Sequence, residues 1–221
     1  MKQIGLFFGS FNPIHLGHLL LANYLVEETA LEEVWFVITP QSPFKQNKRL
    51  LDNHHRLALV EEAIEGYPLL KVSTIEFELP APQYTAVSVA RLVEKHPQAD
   101  FSLIMGADNL QHFHKWHNYE QLLAAHKIYV YPRAQTQNAP ESAVGLPKSS
   151  QVLGRPPAAK SSHPQPTDLP LAQHPHIIRV SAPIVEISSS YIRKAHKAGK
   201  NVRPMLPPAV WQYMDEMNFY R

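Results

Sequence analysis

The sequence contains no cysteine, few glycines and no marked excess of either charge. The absence of cysteine among 221 residues excludes disulfides, thiolate nucleophiles and cysteine-ligated metal sites. Lys and Arg number 21 against 19 Asp and Glu, and the resulting net charge of +2 gives no field that would recruit a nucleic acid or a membrane surface. No apolar run is long enough for a signal peptide or a membrane span. We therefore expect a cytoplasmic enzyme with no nucleic-acid or membrane partner.

Short apolar runs alternate with segments of helical periodicity from residue 2 to residue 133. Runs typical of buried strands lie at 2–9, 34–40, 69–77, 101–106 and 127–132. Segments with helical spacing lie between them, at 15–30, 53–66, 85–97 and 118–126. This alternation predicts βαβ crossovers and therefore an α/β fold, with a mostly parallel sheet and helices on both faces. Ligands of such sheets bind beyond the carboxyl ends of the strands.

Several side chains mark the expected ends of the helices. Asn53 and Thr85 are predicted N-caps of the second and third helices, which should end at Gly66 and Pro97. Near the C-terminus, a segment that opens on serines (188–199) and one that opens on two prolines (206–220) predict a C-terminal helical extension.

The alternation stops between residues 134 and 176. This segment carries eight prolines among Ser, Gln and Ala, and few of its residues could build a core. We interpret residues 1–221 as a single domain that is interrupted here by a Pro-rich insertion.

The stretch GSFNPIHLGH, residues 9–18, joins the first strand to the first helix. Gly9 would let a ligand phosphate approach the backbone N–H groups, and Asn12 and Pro13 suit a helix start whose free N–H groups favour an anion. His15 and His18, three residues apart, would lie on one face of that helix. A metal site would need a third ligand, which the stretch does not offer, so we predict no protein-bound metal.

GSFNPIHLGH resembles the signature of the nucleotidyltransferase superfamily that carries the His-x-Gly-His motif on a Rossmann-like sheet. ISSSYIR, residues 187–193, resembles the second phosphate-binding motif of that superfamily. The resemblance implies direct in-line attack of a substrate phosphate on the α-phosphorus of a nucleoside triphosphate, with release of pyrophosphate and no covalent enzyme intermediate. Positioning and charge stabilisation, which such a reaction needs, can come from histidines, backbone amides, Arg and Mg²⁺.

Within the superfamily, the sequence is most similar to bacterial nicotinate-nucleotide adenylyltransferases. The similar stretches are TPQSPFK (39–45), YT (84–85), MGADNLQHFHKW (105–116), YPR (131–133) and PPAVWQYM (207–214). The resemblance covers nearly everything outside the insertion and implies that ATP, with Mg²⁺, and nicotinate mononucleotide are the substrates. It leaves open whether the chain forms an oligomer.

The resemblance assigns roles to individual residues of this sequence. The expected ATP-binding residues are Gly9, Ser10, Phe11, His15, His18, Gly106, Asp108, Ser188, Ser189 and Arg193. Among them, His15, His18 and Arg193 are the expected catalytic residues. Lys45, Thr85 and Trp116 would face the mononucleotide, although Trp116 could equally be an ordinary core residue.

Other functions remain open at this stage. The acceptor could be nicotinamide mononucleotide or phosphopantetheine, or the chain could be a nucleotide-binding regulator without turnover. A helix start at Thr85 would place unpaired N–H groups where a ligand carboxylate could bind, which favours the acid over the amide.

Overall fold

A computed structural model describes residues 1–40, 50–133 and 171–221 of the chain. Within these ranges, six parallel strands form one sheet in the order β3-β2-β1-β4-β5-β6. The strands are β1 (Lys2–Gly9), β2 (Glu33–Ile38), β3 (Leu70–Ser73), β4 (Ala99–Gly106), β5 (Ile128–Tyr131) and β6 (Ile177–Arg179). The helices are α1 (Leu16–Glu28), α2 (Asn53–Ile64), α3 (Thr85–Lys95), α4 (Ala107–Leu110), α5 (Tyr119–Ala125), α6 (Ser189–Lys197) and α7 (Pro208–Glu216). The predicted α/β class and parallel sheet are confirmed.

Successive side chains of each strand point to opposite faces of the sheet, and both faces are buried. On β1, Phe7 belongs to a core cluster with residues of α1, α2, α6 and α7. The neighbouring Leu6 belongs to a second cluster, with residues of α3, α5 and β4. Helices therefore cover the two faces, as the alternation of elements in the sequence predicts.

The strand order reverses between β1 and β4. The chain runs outward from β1 through β2 to β3 and then returns to pair β4 with the other edge of β1, in the register Leu6 to Leu103. In an open parallel sheet, this reversal opens a crevice at the carboxyl ends of the two central strands. Gly9 and Gly106, the last residues of β1 and β4, lie at this crevice.

Two predicted helix caps are wrong by one residue. Asp52 is the N-cap of α2, while Asn53 is its first residue and accepts a hydrogen bond from the buried Arg56 at 2.6 Å. Tyr84, in an extended conformation, is the N-cap of α3, and Thr85 is its first residue. Neither Asp52 nor Tyr84 makes a side-chain capping hydrogen bond.

The predicted third strand is shorter than its apolar run. β3 ends at Ser73, and residues Ile75–Glu78 form a 3₁₀ turn. This turn buries Glu76 beneath α3, where the Ser88 hydroxyl donates a hydrogen bond of 2.6 Å to the Glu76 carboxyl group.

The last six residues of the Pro-rich segment contact the sheet. Residues Leu171–Gln173 form a 3₁₀ turn, and the His176 carbonyl accepts a hydrogen bond of 2.8 Å from the Ile128 N–H at the start of β5. The His176 imidazole also lies 2.7 Å from the Leu123 carbonyl of α5. Residues 134–170 lie outside the described ranges. Within those ranges, no helix is long and apolar enough to cross a membrane.

Candidate active site

The loop after β1 leaves the carboxyl edge of the sheet beside the reversal point. Phe11 holds it there: its ring is buried and packs edge-on against Phe36 at 5.3 Å and His18 at 5.2 Å between ring centroids. A Cβ atom at Gly9 would lie 2.8 Å from the Phe11 ring, so glycine is needed at position 9 to seat this ring. The Phe11 side chain is thus an anchor of the loop, and Ser10 beside it is exposed.

The two histidines meet at the start of α1. His15 is the N-cap and His18 the third helical residue, and their rings stack with centroids 3.7 Å apart. The His15 N–H donates to Nδ1 of His18 at 3.3 Å, which assigns the neutral His18 proton to Nε2. A Cβ atom at Gly17 would lie 3.1 Å from the His15 ring, so the small residue of the motif gives that ring its room.

Both histidines are neutral at physiological pH in this environment. Burial, together with the nearby positive charge of Arg133, lowers the pKa of His15 to about 4. Burial also places the pKa of His18 well below 6.5, with smaller contributions from His15 and Arg133. A neutral imidazole still carries one N–H donor, so the pair can bind an anion without being charged beforehand.

The second motif meets the first at the loop after β1. The Ser188 side chain caps α6, accepting a hydrogen bond from the Tyr191 N–H at 3.2 Å. The Ser189 hydroxyl donates to the Pro13 carbonyl at 2.8 Å, and the Arg193 guanidinium donates to the Asn12 carbonyl at 2.5 Å. The N-terminal turn of α6 is thereby joined to the loop that precedes α1.

The segments that follow β4 and β5 contribute a charged pair to the same crevice. Asp108 accepts a hydrogen bond from Arg133 at 3.2 Å, and both side chains are about half exposed. A Cβ atom at Gly106 would collide with the Asp108 carboxylate and would lie 2.8 Å from the Arg133 side chain, so position 106 needs a glycine. Arg133, which is not among the predicted site residues, brings a positive charge close to His15 and His18.

The residues predicted to bind the mononucleotide lie in separate segments of the chain, unlike the two phosphate motifs, which meet at one loop. Thr85 begins α3, next to Tyr84, whose ring stacks on His117 with centroids 4.5 Å apart. Trp116 is partly buried and packs edge-on against Phe113 at 5.3 Å. Lys45 lies outside the described residues.

Arg56 of α2 is a site-supporting residue that sequence reasoning missed. It is fully buried, and its guanidinium donates to the carbonyls of Ser10 and Thr39, both at 2.8 Å. It donates further to the carbonyls of Leu51 and Pro40. Arg56 therefore ties together the chain segments that leave β1 and β2. Nothing in the sequence distinguishes it from an exposed arginine on an amphipathic helix.

Comparisons with known proteins show which family the chain belongs to. The model of the cytidylyltransferase-like family matches residues 6–195. A probable nicotinate-nucleotide adenylyltransferase from Christiangramia forsetii is 48% identical over 220 residues, covering 100% of this chain and 99% of the relative. One of the same name from Flavobacterium johnsoniae is 45% identical over 219 residues, covering 99% of each chain.

A solved structure shares the fold. The nicotinic acid mononucleotide adenylyltransferase of Plasmodium falciparum, complexed with NaAD, superposes with a TM-score of 0.71 at 17% identity, and the match covers 100% of this chain and 98% of that one. At that identity the likeness supports the Rossmann-like fold, while family membership rests on the curated relatives. The chain belongs to the nicotinate-nucleotide adenylyltransferase family, within the cytidylyltransferase-like proteins.

Proposed function

We propose that this protein transfers the AMP group of ATP to nicotinate mononucleotide, giving nicotinate adenine dinucleotide and pyrophosphate in NAD biosynthesis. One observation carries the proposal: the motifs at 9–18 and 188–193 meet at a single loop on the carboxyl edge of the sheet. Two neutral imidazoles, two helix starts and two arginines surround this place, and the relatives that share the whole chain are named for the same reaction.

The reaction needs positioning more than it needs an acid or a base. A phosphate oxygen of the mononucleotide, which is already anionic at neutral pH because its second pKa lies near 6, attacks the α-phosphorus of ATP. The bond from the α-phosphorus to the oxygen that bridges it to the β-phosphorus breaks, and pyrophosphate leaves with the electron pair. Negative charge accumulates on the phosphoryl oxygens in the transition state, so donors aimed at them lower the barrier.

This chain offers donors for the triphosphate from three directions. His15 and His18 would donate ring N–H groups from the start of α1, and the backbone N–H groups at the starts of α1 and α6 add the positive ends of their helix dipoles. Arg193 would turn one edge of its guanidinium to the phosphates while the other holds the Asn12 carbonyl. Gly106 and Asp108, at the end of β4, would contact the adenosine.

Mg²⁺ fits this scheme as part of the MgATP substrate. Within the described ranges, no group of three or more His, Asp or Glu side chains is placed to hold a metal ion. Mg²⁺ is commonly held by substrate phosphates and water, where it neutralises charge on the triphosphate. Such an ion needs no cage of protein ligands.

The acceptor would bind on the α3 side of the crevice. Thr85 lies at the start of α3, and Trp116 is only partly buried. In this proposal the start of α3 receives the nicotinate carboxylate and Trp116 stacks on the pyridine ring, with Lys45 near the phosphate. ATP and the mononucleotide are intracellular metabolites, so we place the enzyme in the cytoplasm.

The experiment is to incubate the purified protein with ATP and Mg²⁺ and to measure pyrophosphate with each acceptor in turn. We expect release with nicotinate mononucleotide, slower release with nicotinamide mononucleotide and none with phosphopantetheine. Faster release with either of the other two acceptors would reassign the substrate. ATP binding without release for any acceptor would identify a nucleotide-binding regulator instead.

A further inference from the structure

The end of the chain returns to the loop after β1. The hydroxyl of Tyr220, the penultimate residue, donates a hydrogen bond of 2.6 Å to Oδ1 of Asn12, 208 residues earlier in the chain. Asn12 is completely buried, and Tyr220 is partly buried. A C-terminal residue thus reaches a side chain within the nucleotide motif itself.

The path of the tail is fixed by contacts on both sides of Tyr220. The Phe219 N–H donates to the Met214 carbonyl of α7 at 3.0 Å, and the Phe219 ring packs edge-on against His55 of α2 at 4.7 Å between centroids. Arg221 forms an ion pair with Asp215 of α7. These contacts hold Tyr220 in a left-handed backbone conformation, with φ of 63°. A bulky residue rarely adopts this conformation, so packing must determine it.

Asn12 is the point where the tail and the second phosphate motif meet. Its side-chain oxygen accepts hydrogen bonds from Tyr220 and from the Leu51 N–H, the latter at 3.2 Å. Its main-chain carbonyl accepts the hydrogen bond from Arg193. The Asn12 side chain is held by Tyr220 and Leu51, while its backbone carbonyl binds Arg193. The orientation of Asn12 therefore sets the position of the Arg193 guanidinium.

Burial makes Tyr220 a permanent hydrogen-bond donor. Burial raises the pKa of Tyr220, although the positive charges of Arg193 and Arg56 act in the opposite direction. The phenol therefore remains protonated throughout the physiological range and donates to Asn12 at every pH at which the protein works. Arg56, for its part, donates to the carbonyl of Ser10, two residues before Asn12.

We propose that Tyr220 is a positioning residue for ATP: its hydrogen bond to Asn12 holds the loop after β1 and, through the Asn12 carbonyl, Arg193 in the arrangement that binds the triphosphate. Tyr220 does not itself touch the substrate. The proposal rests on the ATP half of the proposed function and does not depend on the identity of the acceptor.

The test removes the hydroxyl and keeps the ring. Tyr220→Phe should weaken the binding of ATP with Mg²⁺, measured by titration calorimetry, about tenfold, the effect of losing one typical hydrogen bond. The KM for nicotinate mononucleotide should not change. Tyr213→Phe is the matched control, because the Tyr213 hydroxyl lies 3.0 Å from His55 and, within the described ranges, forms no hydrogen bond with the loop after β1. Its ATP affinity should equal that of the wild type.

A double-mutant cycle separates positioning from general destabilisation. If Tyr220 acts through Arg193, the tenfold effect of Tyr220→Phe should largely vanish in an Arg193→Ala background. A chain ending at Phe219 should reproduce the defect of Tyr220→Phe, whereas a chain ending at Tyr220 should not. Wild-type ATP affinity in Tyr220→Phe, an equal loss in Tyr213→Phe, or an undiminished effect in the Arg193→Ala background would each overturn the proposal.

The test of Tyr220 can fail or succeed independently of the proposed function. ATP affinity is measured without an acceptor, so a wild-type protein that releases no pyrophosphate would refute the reaction and still allow the comparison of ATP affinities.

Discussion

The imidazole rings of His15 and His18 are stacked, with centroids 3.7 Å apart and planes inclined by 21°. This spacing is compatible with two neutral rings, whereas two imidazolium ions in a partly buried site would repel each other strongly. Burial is the main cause that lowers both pKa values, and Arg133 lowers both further, as does His15 for His18. The pair is therefore preorganised as a set of neutral donors, and positive charge at the site comes from the arginines.

His18→Ala should lose about 10²- to 10³-fold in kcat, with a much smaller loss in ATP affinity, because in the proposed reaction its N–H donates to charge that develops at the transferred phosphoryl group. His15→Ala should behave similarly. Steady-state kinetics together with ATP titration would measure the two effects separately. His54→Ala, at an exposed position on α2, serves as the control and should retain full activity. Near-normal turnover in a folded double variant of His15 and His18 would remove both residues from the mechanism.

Stability should fall as the pH drops from about 6.5 to 4. His15 has a pKa of about 4 in the fold against 6.5 as its ordinary value, so the unfolded chain binds more protons between these values. The stabilisation present above pH 6.5 is then lost progressively, and His15 alone would contribute about 3 kcal/mol. Urea unfolding at pH 7.5 and 4.5 measures the loss.

His15→Asn isolates this contribution, because asparagine is a good N-cap and does not titrate in this range. The variant should show a shallower decline of the unfolding free energy with pH than the wild type. Identical slopes for the two proteins would mean that His15 titrates normally in the fold.

Replacement of Arg56 should destabilise the protein far more than replacement of a surface arginine. Arg56→Lys loses most of the hydrogen bonds that the buried guanidinium donates to Ser10, Thr39, Leu51 and Pro40. Hydrogen bonds to charged groups contribute roughly 1.5–3 kcal/mol each, so we expect a net loss of about 2–4 kcal/mol. Arg91→Lys, on the exposed side of α3, should change stability by less than about 0.5 kcal/mol. Thermal unfolding of both variants measures the difference, and equal Tm values would contradict the role assigned to Arg56.

The sequence predicts the features that local patterns encode. The apolar runs predicted β1 to β5, though not β6, and the ordered residues from Gly9 to His18 predicted a histidine pair at the start of α1, which the structure confirms. Features that depend on contacts between distant segments could not be predicted. Arg56 has the pattern of a surface residue, and the pairing of Asn12 with Tyr220 joins the two ends of the chain. The cap of α3 at Tyr84 depends on how Glu76 and Ser88 pack beneath it.

The start of α3 provides the basis for choosing between acid and amide acceptors. The α3 N-cap, Tyr84, makes no side-chain capping hydrogen bond, and among the described residues none accepts a hydrogen bond from the Thr85 N–H. The Ser88 hydroxyl lies within hydrogen-bond distance of the Glu76 carboxyl group and of the Tyr84 carbonyl, and these contacts hold the first turn of α3 in place. The N–H groups of Val87 and Ser88 bond to the Tyr84 carbonyl, so the Thr85 N–H, together with the positive end of the helix dipole, is the donor that a ligand carboxylate could use.

We expect kcat/KM for nicotinate mononucleotide to exceed that for nicotinamide mononucleotide by about 10²-fold. With the amide, the NH₂ group would face backbone donors and a charge-assisted hydrogen bond would be lost, which together cost roughly 2–3 kcal/mol.

Thr85→Pro tests the backbone donor itself. Proline is tolerated at the first position of a helix after an extended residue, and it deletes only that N–H and the threonine side chain. The variant should lose much of the preference for the acid, whereas Thr85→Ala, which keeps the N–H, should retain it. Ratios of kcat/KM at fixed ATP and Mg²⁺ measure both effects. Loss of the preference in Thr85→Ala would transfer the role to the hydroxyl, and equal wild-type values for the two acceptors would show that the start of α3 does not select the carboxylate.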